Sequence, residues 1–173
     1  MNRRIIVAVI VAAALLGAGP ALRRAGLRIN LTASEPRGLY IVEGRPWSRG
    51  SLVVIRLPAR LSAIALERGY ALPGSRSGAA MDGLKRVAAL PGDTVRVGPQ
   101  GVSVNGVLWT ASRPLTWDSS GHPIQHYPFG VYHVRPGQVW LLSDNPRGWD
   151  SRYFGPLPRA NVISAARPLL TSR

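Results

Sequence analysis

At 173 residues the chain has room for one buried core and hardly two, and 34 residues are glycine or proline, many at intervals that suit turns between short strands. It has no cysteine, which excludes disulfides and thiolate metal sites. The formal net charge of +14 suggests nucleic acid, but the arginines are scattered in ones and twos with no basic arm. Attraction to an anionic membrane surface explains the same excess, and nucleic acid is not an expected partner.

Met1 to Arg4 is short and basic, and the eighteen residues from Ile5 to Leu22 carry no charge. As a helix that run spans roughly 27 Å, close to the hydrocarbon thickness of a bilayer. The competing reading is a cleaved secretory signal, with Arg3 and Arg4 as its basic region and Gly17 to Gly19 before the cut. The run is longer than the usual signal core, which favours a retained transmembrane helix over residues 1–25 and a second domain over 26–173. Arg3 and Arg4 on one side are balanced by Arg23, Arg24 and Arg28 on the other, so charge does not set the orientation.

The polar cluster from Asn30 to Gly38 predicts a tight loop leading into a strand at Leu39-Tyr40-Ile41-Val42. Pro36 restricts Glu35 to extended geometry and Gly38 lets the backbone turn, so Ser34 falls at a stiff corner. A serine there is usually a turn or capping residue. Ser51 to Leu57 reads as a buried strand between Arg49-Gly50 and Pro58. Ala59 to Tyr70 is the one clear helix after the anchor, with Leu61, Ile64, Ala65 and Leu66 at helical spacing and Gly69 stopping it. Ala71 to Asp82 is a loop.

That loop delivers the chain to Gly83-Leu84-Lys85-Arg86-Val87-Ala88-Ala89-Leu90-Pro91-Gly92-Asp93, which contains the only lysine; the other 21 basic residues are arginine. Arginine keeps its proton in a protein, whereas a desolvated lysine can release one and act as a base. On a strand Lys85 shares a face with Val87 and Ala89, and aliphatic neighbours favour the neutral amine. The alternative is a lysine at a strand edge with its ammonium reaching water.

Beyond it Val95 and Val97 alternate with polar residues. Val102 and Val104 lead into Asn105-Gly106, a strong hairpin signal, and Val107 to Trp109 returns. Residues 110–129 are irregular. His122 and His126 have the spacing of a helical metal site, but Pro123 and Pro128 argue against a helix, no acidic partner is apparent, and no metal or other cofactor is expected. Gly130 to Val134 and Gln138 to Leu142 are further strands. In Ser143-Asp144-Asn145-Pro146-Arg147-Gly148-Trp149-Asp150-Ser151-Arg152, Asp150 and Arg152, with Asp144 close by, can form a charge-assisted clamp under a site. Asn161 to Arg173 carries no usable signal.

Three segments, in order after the anchor, resemble the membrane-bound serine-lysine signal peptidases, most of all their conjugative-transfer, TraF-type branch. Ser34-Glu35-Pro36-Arg37-Gly38-Leu39-Tyr40 is similar to the nucleophile box, Leu84 to Asp93 to the base box, and Asp144-Asn145 through Asp150-Ser151-Arg152-Tyr153-Phe154-Gly155-Pro156 to the loop beneath the site. The resemblance implies a mainly β catalytic domain of antiparallel sheets with one short inserted helix, anchored in a bacterial inner membrane and facing the periplasm. It implies Ser34 as nucleophile, Lys85 as base, and the Ser34 N–H with the Thr32 hydroxyl as oxyanion donors. Asp144, Asp150, Ser151 and Arg152 become structural supports. The implied partners are membrane lipid and a leader-bearing preprotein or prepilin, bound as an extended strand. Two positions depart from the family's pattern: Gly148 and Trp149 stand where it often has a serine that hydrogen-bonds the lysine, and Ser143 where it commonly has glycine. A general leader peptidase is the nearest alternative reading. A self-cleaving repressor should carry a DNA-binding domain in place of the anchor, and a non-enzymatic nucleic-acid binder should cluster its arginines.

Overall fold

The computed structural model describes residues 24–32 and 34–171. All but the last two residues of the proposed anchor lie outside them, and among the described residues no helix is long and apolar enough to cross a membrane. They form eleven strands: β1 Leu27–Asn30, β2 Gly38–Val42, β3 Leu52–Ile55, β4 Gly83–Ala89, β5 Thr94–Gly98, β6 Gly101–Val104, β7 Val107–Leu108, β8 Gly130–His133, β9 Gln138–Leu142, β10 Leu157–Pro158 and β11 Val162–Thr171. A seven-stranded sheet runs β1-β2-β11-β3-β4-β9-β10 and a four-stranded sheet runs β7-β6-β5-β8, with antiparallel pairing throughout. The expected mainly β, antiparallel architecture is what these residues adopt.

Local chemistry explains most of the elements. Asn105 and Gly106 take φ of 50° and 84°, the left-handed pair that a two-residue hairpin needs, and they join β6 to β7. Helix α1, Ala59–Glu67, ends three residues before the expected Tyr70 because the backbone N–H groups of Arg68 and Gly69 close its last turn. A second, four-residue helix, α2 at Ser151–Phe154, is capped by the Asp150 side chain accepting from the Arg152 N–H.

Two elements depart from expectation. The sequence does not predict β1, nor β11, which occupies the segment without a usable signal and lies between β2 and β3. Pro168 argues against a central strand because it has no N–H to donate. The register shifts between Pro168 and Leu170, so the ladder accommodates it there. Gly38 is needed for the same contact: a Cβ on it would lie 2.1 Å from the Leu170 carbonyl oxygen.

The core is layered. Val95, Val97, Val102 and Val104 of the small sheet pack on Ala88, Ala89, Trp140 and Leu142 of the large one. Val53, Ile55, Val87, Val139 and Leu141 fill one face of the large sheet, and Tyr40, Leu52, Val54, Leu84 and Ala166 the other. Lys85 lies opposite Val53 in the ladder and so belongs to the Val53–Val87 face, as strand alternation predicts. The alternation fails past Val87, where the pairing with β9 shifts and Ala88 and Ala89 join one cluster.

Candidate active site

The loop joining β1 to β2 is folded around one side chain, that of Asn30, which is 7% exposed. Its amide donates to the carbonyls of Thr32 (3.1 Å), Glu35 (2.9 Å) and Pro36 (3.1 Å), and its Oδ1 accepts from the Thr32 N–H and from Thr32 Oγ1 (2.8 Å). Sequence reasoning gave Asn30 no role. The signal was there: an Asn two residues before a Thr at the head of a loop is a turn-forming pair. Tyr40 closes the loop from β2 by donating its hydroxyl to the Pro36 carbonyl at 2.5 Å.

Within that loop Thr32 Oγ1 and Ser34 Oγ are 3.2 Å apart. The Thr32 proton goes to Asn30 Oδ1, so Ser34 is the donor in the pair. To serve an oxyanion, Thr32 has to turn that proton away from Asn30.

The second part of the site is the loop after β9. Arg152 is fully buried and gives Nε and Nη2 to the two oxygens of Asp150 at 2.9 and 2.8 Å, a bidentate pair. Its remaining protons go to the carbonyls of Ala111 (3.0 Å), Arg113 (3.5 Å), Pro146 (2.9 Å), Asn145 (3.1 Å) and Gly148 (2.7 Å). Asp150 Oδ2 also accepts the Ser143 N–H at 2.9 Å, and Ser151 Oγ accepts the Leu141 N–H at 3.0 Å. Asp150, Ser151 and Arg152 thus tie α2 to β9 and to the 111–113 segment. Asp144 is turned outward and accepts from Arg86 Nε at 2.5 Å.

Ser143 joins the two loops by donating its hydroxyl to the Ser34 carbonyl. Gly148 makes this geometry possible: a Cβ there would sit 2.4 Å from Ser143 Cβ and 2.5 Å from its Oγ. The two departures from the family's pattern are therefore one packing solution, in which the side chain at 143 fills the space that a side chain at 148 would take.

Lys85 is 6% exposed and takes part in none of the ion pairs among the described residues. Burial lowers its amine below the ordinary 10.5; the charges of Asp150 and Glu35 oppose that shift, and Arg152 adds to it. The electrostatic neighbours of Lys85 are thus the residue after Ser34 and the clamp beneath Ser143. Glu35, the residue after Ser34, is itself 3% exposed. Burial first, then Asp144, raise it from 4.5 to about 7.

The histidines are employed elsewhere. An acidic partner does lie near His122: Asp118 accepts the backbone N–H groups of Ser120 and His122 at 2.9 Å, and its carboxylate lies 3.6 Å from the His122 ring. His126 stacks on Phe129 with ring centroids 3.9 Å apart. These contacts build turns.

The model of the family described as signal peptidase, peptidase S26, matches residues 2–170. A plasmid transfer protein TraF of Escherichia coli is 38% identical over 164 residues, covering 93% of this chain and 90% of that protein. A conjugal transfer protein TraF of Agrobacterium fabrum is 38% identical over 149 residues, covering 84% and 83%. A probable signal peptidase I-1 of Synechocystis is 31% identical over 118 residues, covering 68% and 51%. With all but the last of the described residues inside the matched span and TraF proteins alike over most of their length, this chain belongs to the signal peptidase family, peptidase S26.

Proposed function

We propose that this protein is a membrane-anchored serine endopeptidase that removes leader peptides, with Ser34 as nucleophile and Lys85 as general base, and that its substrate is a pilin-like or other conjugative-transfer protein. The observation that carries the reading is the buried sole lysine, held towards its neutral form and acted on by charges from the loop that carries Ser34 and from the loop that Ser143 joins to it. A neutral amine takes the serine proton without help from histidine. Attack on the substrate carbonyl gives a tetrahedral oxyanion, which the Ser34 N–H and a reoriented Thr32 hydroxyl receive. Collapse gives an acyl-enzyme on Ser34, and water hydrolyses it with Lys85 again as base.

The anchor holds this site on the periplasmic side of the inner membrane, beside the bilayer where a leader's cleavage site emerges. β1 is an edge of the described sheet, and its last residue, Asn30, opens the serine loop. An extended substrate adding to that edge arrives at Ser34. The names and extents of the TraF relatives support the transfer-protein assignment.

The test is to incubate the full-length, membrane-embedded protein with candidate prepilins and weigh the products. A leader removed by the wild type and retained by Ser34→Ala and Lys85→Arg, both still folded, is the expected result. Cleavage by Lys85→Arg sinks the dyad. General accumulation of uncleaved secretory proteins on depletion in the host favours a housekeeping leader peptidase instead.

A further inference from the structure

On the face of the large sheet that carries Lys85 there is a cleft that the dyad chemistry does not use. Lys85 stands opposite Val53 and Val87 opposite Leu141, and Leu61 of α1 and Phe154 of α2 pack on that Val53–Val87–Leu141 cluster. The same two side chains line a cleft of 360 Å³ between α1 and the 123–128 segment. Its inner wall is aromatic: the Trp149 ring centroid lies 5.0 Å from that of Phe154 and 5.4 Å from that of Tyr70. Its rim is cationic. Arg60, Ile64 and Arg68 recur every four residues along α1 and its cap, so an aliphatic side chain lies between two guanidiniums on one edge. Arg68 donates to the Pro123 carbonyl at 2.9 Å and lies 3.6 Å from Asp118, which pins α1 to the opposite wall. Arg60 is exposed and takes part in none of the ion pairs among the described residues.

The cleft also lies near the nucleophile. The Ser143 hydroxyl bonds the Ser34 carbonyl, Gly148 packs directly on the Ser143 side chain, and Trp149 is the next residue. Those steps put the Trp149 backbone within about 10 Å of Ser34, the reach of about three residues of extended chain. We propose that this cleft is the subsite for the substrate on the mature side of the cut, and that it takes a large apolar side chain, best an aromatic one, followed by a carboxylate that meets Arg60. The inference deepens the peptidase reading and rests on it. The anchor ends at residue 25 and β1 begins at Leu27, so the leader, which starts in the bilayer, runs along β1 and the mature chain leaves past Ser143 and Trp149. The aromatic wall receives the ring by edge or stacking contacts. No acidic side chain lines the cleft among the described residues, so the carboxylate meets only Arg60 and Arg68 there.

The test titrates full-length protein in neutral detergent micelles into three peptides carrying a dye at the C-terminus: Ser-Ala-Phe-Glu-Gly, Ser-Ala-Gly-Glu-Gly and Ser-Ala-Phe-Lys-Gly. Fluorescence anisotropy gives the affinities. The first is expected to bind about tenfold more tightly than the second, through burial of the ring, and about fivefold more tightly than the third, through the charge. Arg60→Glu should reverse the order of the first and third. Arg135→Glu makes the same change of charge between β8 and β9, away from the cleft, and should leave that order alone; both arginines are exposed, so neither substitution disturbs packing. Equal weakening by the two variants, or affinity that follows charge and ignores the ring, means a basic surface that collects any anion, a lipid headgroup included, and overturns the proposal. The first peptide should also compete with leader cleavage; binding without competition puts the site away from the cut and overturns it too. The expected binding pattern in a protein that cleaves no leader sinks the peptidase reading and leaves a peptide site, whereas cleavage with no discrimination among the peptides does the reverse.

Discussion

The two loops that meet at Ser143 are built from opposite materials. Beneath the site, residues 143–152 are organised by a fully buried charge pair whose guanidinium spends its protons on Asp150 and five carbonyls. Above it, residues 30–37 are organised by a neutral amide with two protons shared among three carbonyls. A neutral hydrogen bond contributes about 1 kcal/mol net, whereas orphaning a buried charge costs about 3–5 kcal/mol. The floor of the site is thus fixed, and the loop with the hydroxyl can adjust cheaply on top of it.

The severest way to break that contrast is Arg152→Ala. It leaves Asp150 as an unpaired buried charge and should lower unfolding free energy by about 3–5 kcal/mol in denaturant titrations. A loss under 1 kcal/mol would mean that the clamp does not organise the floor. Thr32→Val attacks the adjustable loop. Stability should fall by only about 1 kcal/mol through loss of the Asn30 contact, while kcat drops about 10²-fold if the hydroxyl turns to the oxyanion. An unchanged kcat removes Thr32 from that role. Gly148→Ala sharpens the comparison at the junction. The new methyl overlaps Ser143, and the expected cost is about 1–3 kcal/mol with a slower turnover. Adding Ser143→Gly should recover much of the stability; a double variant no better than the single one would refute the packing argument.

How far the sequence disclosed this molecule depended on the range of the forces involved. The Asn105-Gly106 hairpin and the end of α1 near Gly69 are local matters, and both were legible. So was the Asp150–Arg152 clamp, whose partners stand two residues apart. β11 was not: Ala165, Ala166, Arg167 and Pro168 have little strand character, and their pairing comes from β2 and β3, over a hundred residues away. The burial of Glu35 and the carbonyl partner of Ser143 arise only once distant segments meet. Asn30 gives little away in the sequence because its amide acts through carbonyls two, five and six residues on, and the fold of the loop decides which of them it reaches.

The position of β11 bears on biosynthesis. The hairpin carrying Ser34 and the strand pair carrying Lys85 have no ladder with each other; Val162–Thr171 is the seam between them. Those ten residues leave the ribosome after every other described strand. If the proposed dyad operates, a nascent chain stalled before them should carry Ser34 and Lys85 without the strand that joins their ladders and should cleave no leader.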